Sequence, residues 1–311
     1  MPFSATLSES TTLLQSQILF GASTFSLGLL LIVLAFIGYY EVWKAHKSCS
    51  WTTIGTPFNI LLVLGISANT GYNFCEGMAV IRDGNFAVGN EEGRRWRVAS
   101  GLLEAGWALS YLYFSWIRAE KQIQSVFPKS FRLIRYVFLA SPVVLLLPTA
   151  IRVVNLVEAD QDYFYTHLHA YVQTAAAFAF ILLDCVFLYS FTRYLAQTQV
   201  EPDSPIDPRF LLISRYGCIA SCLCLVLLGF AIFYSVGYDP MSKENAVVGL
   251  VSGLTAPLVF AVLFVMKIKL LSQSSRELEI AKQRLMKAKL ESDATITVSV
   301  GGAADVTEKH K

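Results

Sequence analysis

Seven long apolar runs govern what this chain can fold into. They cover residues 17–41, 57–80, 98–118, 133–156, 167–193, 210–236 and 246–269. Each reaches or exceeds the ~20 residues a helix needs to cross bilayer hydrocarbon at ~1.5 Å per residue. The segments between them carry charge, Pro, Gly or Asn. None of the runs is strongly periodic, as expected of helices that are apolar nearly all round. The predicted fold is all-α: a seven-helix transmembrane bundle over residues 17–270, after a short extracellular N-terminus at 1–16. Residues 1–17 hold no Lys or Arg, so the first run lacks a basic leader and is expected to be a retained span rather than a signal peptide.

Composition supports the membrane class. Hydrophobic residues make up 54% of the chain and charged residues 15%, with mean hydropathy +0.51, against about 25% charged in soluble domains. A net charge of +2 is too small to point to nucleic acid. The bilayer is the first expected partner, and the expected location is an integral multi-pass protein of the plasma membrane. With the N-terminus outside, the inner segments up to Lys289 hold seventeen Lys and Arg and the outer segments six. That bias predicts a cytoplasmic C-terminus. The 82–97 loop runs against it, with Arg82, Arg94, Arg95 and Arg97.

Five of the six cysteines lie inside apolar runs, where a thiol is a small hydrophobe. Cys222 and Cys224 are two apart and point to different helix faces, which argues against a metal. Neither a metal nor a cofactor is expected. Aromatic residues at span ends, including Tyr39, Tyr40, Trp43, Trp96, Trp116, Tyr163, Phe164 and Tyr165, suit interfacial belts.

Polar groups inside the spans are the candidate site. A charge at membrane depth costs about 2.5–3.5 kcal/mol on insertion scales and seldom faces lipid. Glu104 stands in the third run, sharing a helical face with Ser100, Trp107, Tyr111 and Phe114. Asn69, Asn73 and Glu76 form one stripe in the second run; Arg152 and Asn155 follow Pro148 in the fourth; His169 and Gln173 are one turn apart in the fifth. Glu76, Glu104, Arg152 and His169 sit about 4–10 Å below the outer ends of their spans by helical rise. The expectation is an outward-opening pocket for a small polar or charged ligand. The blander alternative pairs Arg152 with Glu104 or Glu76 and uses the asparagines to bridge helices. On the inner side, Asp184 and Arg215 could form an ionic latch. Arg118, Lys121, Arg132 and Arg135 are candidates to meet a cytoplasmic signalling protein. His167 and His169 lack further zinc ligands, and neither a phosphate loop nor a Ser-His-acid set is present, so an enzyme is not expected.

Beyond the last run, Ser274 and Glu277 suit a capping box, and Leu271, Leu278 and Leu285 recur with Ala281 and Ala288 between. Residues 271–292 are expected to form a basic amphipathic helix on the inner leaflet, with a short coiled coil as the alternative. Residues 293–311 have the small, polar composition of a disordered tail.

Over residues 17–291 this layout resembles the architecture of G-protein-coupled receptors, in topology rather than in motifs. Arg118, at the inner end of the third span, is similar in place to that family's arginine, although Ile117 and Ala119 flank it. The seventh span has Pro257 in TAPLVF, without Asn-Pro-x-x-Tyr. The resemblance implies an outer ligand and an inner partner. Microbial rhodopsins share the topology, but Lys267 and Lys269 lie at the inner end of the seventh span rather than at its middle. The segment from Arg152 to Glu158 looks like the Arg/Glu-bearing region of fungal seven-span lipid-translocating exporters, which implies a transporter as the alternative. A non-catalytic membrane scaffold is the third reading.

Overall fold

The computed structural model describes residues 3–43, 55–83, 91–158, 162–198, 208–236 and 243–304. Those residues form seven helices and no strand: α1 (Phe3–Ile37, continued by a π-helical segment, Gly38–Trp43), α2 (Pro57–Asp83), α3 (Glu91–Val126), α4 (Phe131–Val157), α5 (Asp162–Thr198), α6 (Pro208–Val236) and α7 (Lys243–Ala304). Each predicted run lies on one helix. The helices overshoot the runs at several ends; α1 is helical from Phe3, well before the first run begins. Pro202, Pro205, Lys44, Lys47 and Cys49 lie outside the described residues.

Among the described residues, four stretches are long and apolar enough to cross a membrane: Thr12–Tyr40, Phe131–Val157, Leu168–Tyr194 and Gly253–Lys287. A shorter apolar stretch, Leu211–Leu227, lies on α6. Burial explains why α2 and α3 are less apolar. The polar residues that dilute them are turned inward: Asn59, Asn69 and Asn73 on α2, and Ser100, Ser110 and Gln122 on α3, are all buried. The residues they leave on the outside, such as Ile60, Leu64 and Phe74 on α2 and Leu102 and Ile117 on α3, are apolar.

Residues up to Phe264 form one compact unit and those from Val265 a second. In the first unit each of α1 to α5 packs on the next in sequence, as does α5 on α6, and α3 also reaches α5. That makes α3 the central post, and its burial is spread along its length, from Gly93 and Gly101 through Ala105, Ala108 and Leu112 to Ala119 and Ile123. Small residues let neighbours come close. A Cβ on Gly101 would lie 2.9 Å from Thr149 Oγ1 and 3.4 Å from Arg152 Cδ of α4. A Cβ on Gly65 would lie 2.4 Å from the Phe260 ring of α7. Pro142 and Pro148 are accommodated within α4, and Pro148 is buried there.

Trp116 departs from the interfacial role its position suggests. It is 7% exposed and stacks on Phe138, with centroids 4.4 Å apart and planes 8° apart, while Phe187 packs edge-on. A large ring on the central helix meets α4 and α5 and is captured as core. Tyr39, Tyr40 and Phe164 stay exposed, as a belt requires.

From Val265 the second unit is a single helix that runs to Ala304. No break separates the last span from the 271–292 segment. Residues 293–304, expected to be disordered, continue the helix. The first glycines after Gly253 are Gly301 and Gly302, and the intervening Leu, Ala, Glu, Lys, Gln and Arg are good helix formers. Residues 305–311 lie outside the described residues.

Candidate functional site

Arg152 is the hub of a polar cluster drawn from four helices. Its Nε donates to His169 Nε2 of α5 at 2.7 Å. One terminal nitrogen donates to the Arg97 carbonyl at 2.7 Å and to Ser100 Oγ at 2.8 Å, both on α3. The same nitrogen lies 3.9 Å from the Glu76 carboxylate of α2. Ser100 in turn donates to Glu76 at 2.8 Å. The local reasons are simple. Arg152 stands one turn after Pro148, and Gly101 removes the side chain that would keep α4 off α3 at this level. The Arg152 and Glu76 side chains remain 15% and 24% exposed, so the cluster is shielded yet reachable.

Glu104 lies one turn further along α3 and is half-buried; Gln173 of α5 donates to it at 2.8 Å. The structure brings Glu76, Glu104, Arg152, His169 and Gln173 together. Arg152 pairs with Glu76 rather than with Glu104. Ser100 was legible on the Glu104 face, yet its joining role follows only from the approach of α4.

Three predicted members belong elsewhere. Asn69 is buried and donates to Ser26 of α1 at 3.0 Å. Asn73 is buried, donates to the Asn69 carbonyl at 3.0 Å, and has its Oδ1 3.2 Å from where a Cβ on Gly253 would sit. These two asparagines join α1, α2 and α7, which is the bridging role. Trp107 packs edge-on against Phe180 of α5 and Phe260 of α7. It forms an aromatic layer beyond Glu104. Asn155 is half-buried on α4, one turn from Arg152.

On the far side of that layer is a second polar group. Tyr111 OH donates to Asp184 at 2.9 Å, and the Tyr111 ring packs on Phe180 at 5.5 Å. Arg118 donates to the Ile213 carbonyl of α6 at 3.2 Å and lies over the Phe114 and Phe191 rings, at 4.8 and 5.6 Å. A cavity of about 30 Å³, room for about one water, separates these groups; Tyr111, Ser115, Arg118, Asp184, Ser214 and Ser221 supply its polar lining. Two expectations change here. Asp184 is hydrogen-bonded by Tyr111 and by Ser221 of α6, while Arg215 is exposed on α6. Arg118 is folded inward instead of being displayed with Lys121, Arg132 and Arg135, which are exposed. Tyr111 and Ser115 were missed as site residues, though both continue the α3 face of Glu104 at helical spacing.

The described cysteines, Cys75, Cys185, Cys218, Cys222 and Cys224, are all free, and Cys222 is exposed while Cys224 is buried. Among the described residues no group of three His, Cys, Asp or Glu could hold a metal. No protein-family model, curated protein or solved structure matches this chain.

Proposed function

We propose that this protein is a receptor-like seven-helix membrane protein. A small polar or charged ligand engages the Arg152 cluster from the outer side, and the inner ends of α3 and α4 present Lys121, Arg132 and Arg135 to a cytoplasmic signalling partner. The plasma membrane is the proposed location. One observation carries the reading: a partly exposed guanidinium ties α2, α3 and α5 to α4 at a single level. A ligand carboxylate or phosphate that took over Arg152 would release His169 and Ser100 together. The relative placement of three helices would then depend on occupancy, which is the differential interaction a two-state response needs. α3 carries that change past Trp107 to Tyr111 and Arg118, about 21 Å along the helix from Glu104.

A transporter is the second reading, and the Asp184 cavity favours it. Polar groups on both sides of the Trp107–Phe180–Phe260 layer suit a pathway opened alternately from either end.

The test is a thermal-shift screen of the purified full-length chain in detergent against small carboxylates, phosphates and amines. A receptor gives hits that raise Tm in the native protein and lose the effect in Arg152→Gln and Glu104→Gln, with no flux of the hit in proteoliposomes. Flux that depends on Arg152 and Asp184 makes the transporter reading correct instead. A screen without hits leaves the scaffold.

A further inference from the structure

The α7 extension offers a seam for another helix. From Leu278 to Lys287 every residue is exposed, with Leu278 at 57% and Leu285 at 71%. Leu271, Leu278 and Leu285 are spaced at seven residues, the repeat of one core position of a coiled coil. Ser274 and Ala281 occupy the other core position, and the sequence continues it at Ala288. On a helical wheel these core-position residues span about 100°, while Ile280 and Met286, at 49% and 67% exposed, lie outside the seam. Residues 271–292 contain no Trp or Tyr, the residues enriched at membrane–water interfaces. The helix from Val265 to Ala304 also contains no proline that would turn it.

We propose that the occupant of this seam is a second copy of the same chain, forming a parallel, in-register two-helix coiled coil over about residues 271–288. Two copies inserted in the membrane in the same sense send their α7 extensions out of the same face, which sets the parallel direction. Charge fits that register. Glu277 and Lys282 fall on opposite flanks of the seam, so Glu277 of one copy faces Lys282 of the other. Arg284 and Lys289 fall at the next equivalent pair and repel. With that repulsion and alanine in half of the core, the pairing is too weak for free peptides and depends on the high effective concentration of two chains held in one membrane.

Cysteine scanning of the full-length chain in native membranes tests this. Leu278→Cys, Ala281→Cys and Leu285→Cys place a thiol on the seam; Glu279→Cys and Gln283→Cys place one off it. All five positions are exposed, so each variant keeps the fold. Under mild oxidation the seam variants are expected to give a disulfide-linked dimer several-fold above the unsubstituted chain, while the off-seam variants stay at that background. Cross-linking that ignores the heptad, or that never rises above background, overturns the proposal and leaves the segment single. The test does not involve the Arg152 cluster, so its outcome and that of the ligand screen are separable.

Discussion

Arg152 Nε donates to His169 Nε2 across 2.7 Å. An imidazole nitrogen that accepts is unprotonated, so His169 is the neutral tautomer with its proton on Nδ1. The bond links α4 to α5 near the ends of both apolar stretches. His169→Ala removes the acceptor and leaves a shielded guanidinium N–H without it. The expected loss is about 1–3 kcal/mol, read as a lower Tm of the detergent-solubilised protein. Gln, whose carbonyl oxygen can accept, is expected to recover part of it.

Gly101 sets how closely α3 and α4 approach at that level. A Cβ would sit 2.9 Å from Thr149 Oγ1, and Thr149 is buried. Gly101→Ala is therefore expected to cost about 1–3 kcal/mol through overpacking, and to weaken the response to any ligand that acts through Arg152. Gly106 is the control. Its Cβ would meet Ala68 Cβ at an ordinary 3.4 Å, so Gly106→Ala is expected to be neutral or stabilising by up to ~1 kcal/mol from helix propensity. Equal loss in both variants would contradict this packing.

A Cβ added at Gly65 would run still harder into the Phe260 ring, and Phe260 is 1% exposed. A rigid, fully buried ring has nowhere to go. Gly65→Ala is expected to lower thermal stability more than Gly101→Ala does. Adding Phe260→Leu should return much of the loss, because the smaller side chain vacates the space the Cβ needs. A double variant no better than the sum of its parts would show that the two residues do not meet.

Tyr111 and Arg215 separate two accounts of Asp184. Tyr111→Phe deletes the hydroxyl that donates to the buried carboxyl group, and about 1–3 kcal/mol should be lost. Arg215 is exposed, so Arg215→Ala is expected to stay within about 0.5 kcal/mol. The reverse order of effects in thermal melts would restore the Asp184–Arg215 latch.

Glu76, Glu104, Arg152, His169 and Gln173 were legible as one level because lipid leaves a charged group few options, and depth along a helix is a matter of counting residues. Who pairs with whom was not legible. Trp116 shows the difference well: its place at a span end predicts an interface, yet it lies under Phe138 because α3 is surrounded. Arg118 turned inward for a related reason, with the Phe114 and Phe191 rings and the Ile213 carbonyl within reach of its long side chain.

By itself the sequence determined the helices, their number and the level of each polar residue along its helix, since those follow from local apolar length and a fixed rise per residue. Only the tertiary structure decided that Arg152 meets Glu76 and His169, that Asp184 meets Tyr111, and that Asn69 and Asn73 serve the α1–α2–α7 seam. Those choices depend on how each helix is rotated about its axis and on where Gly65 and Gly101 let neighbours close in. Runs that are apolar nearly all round carry almost no information about rotation.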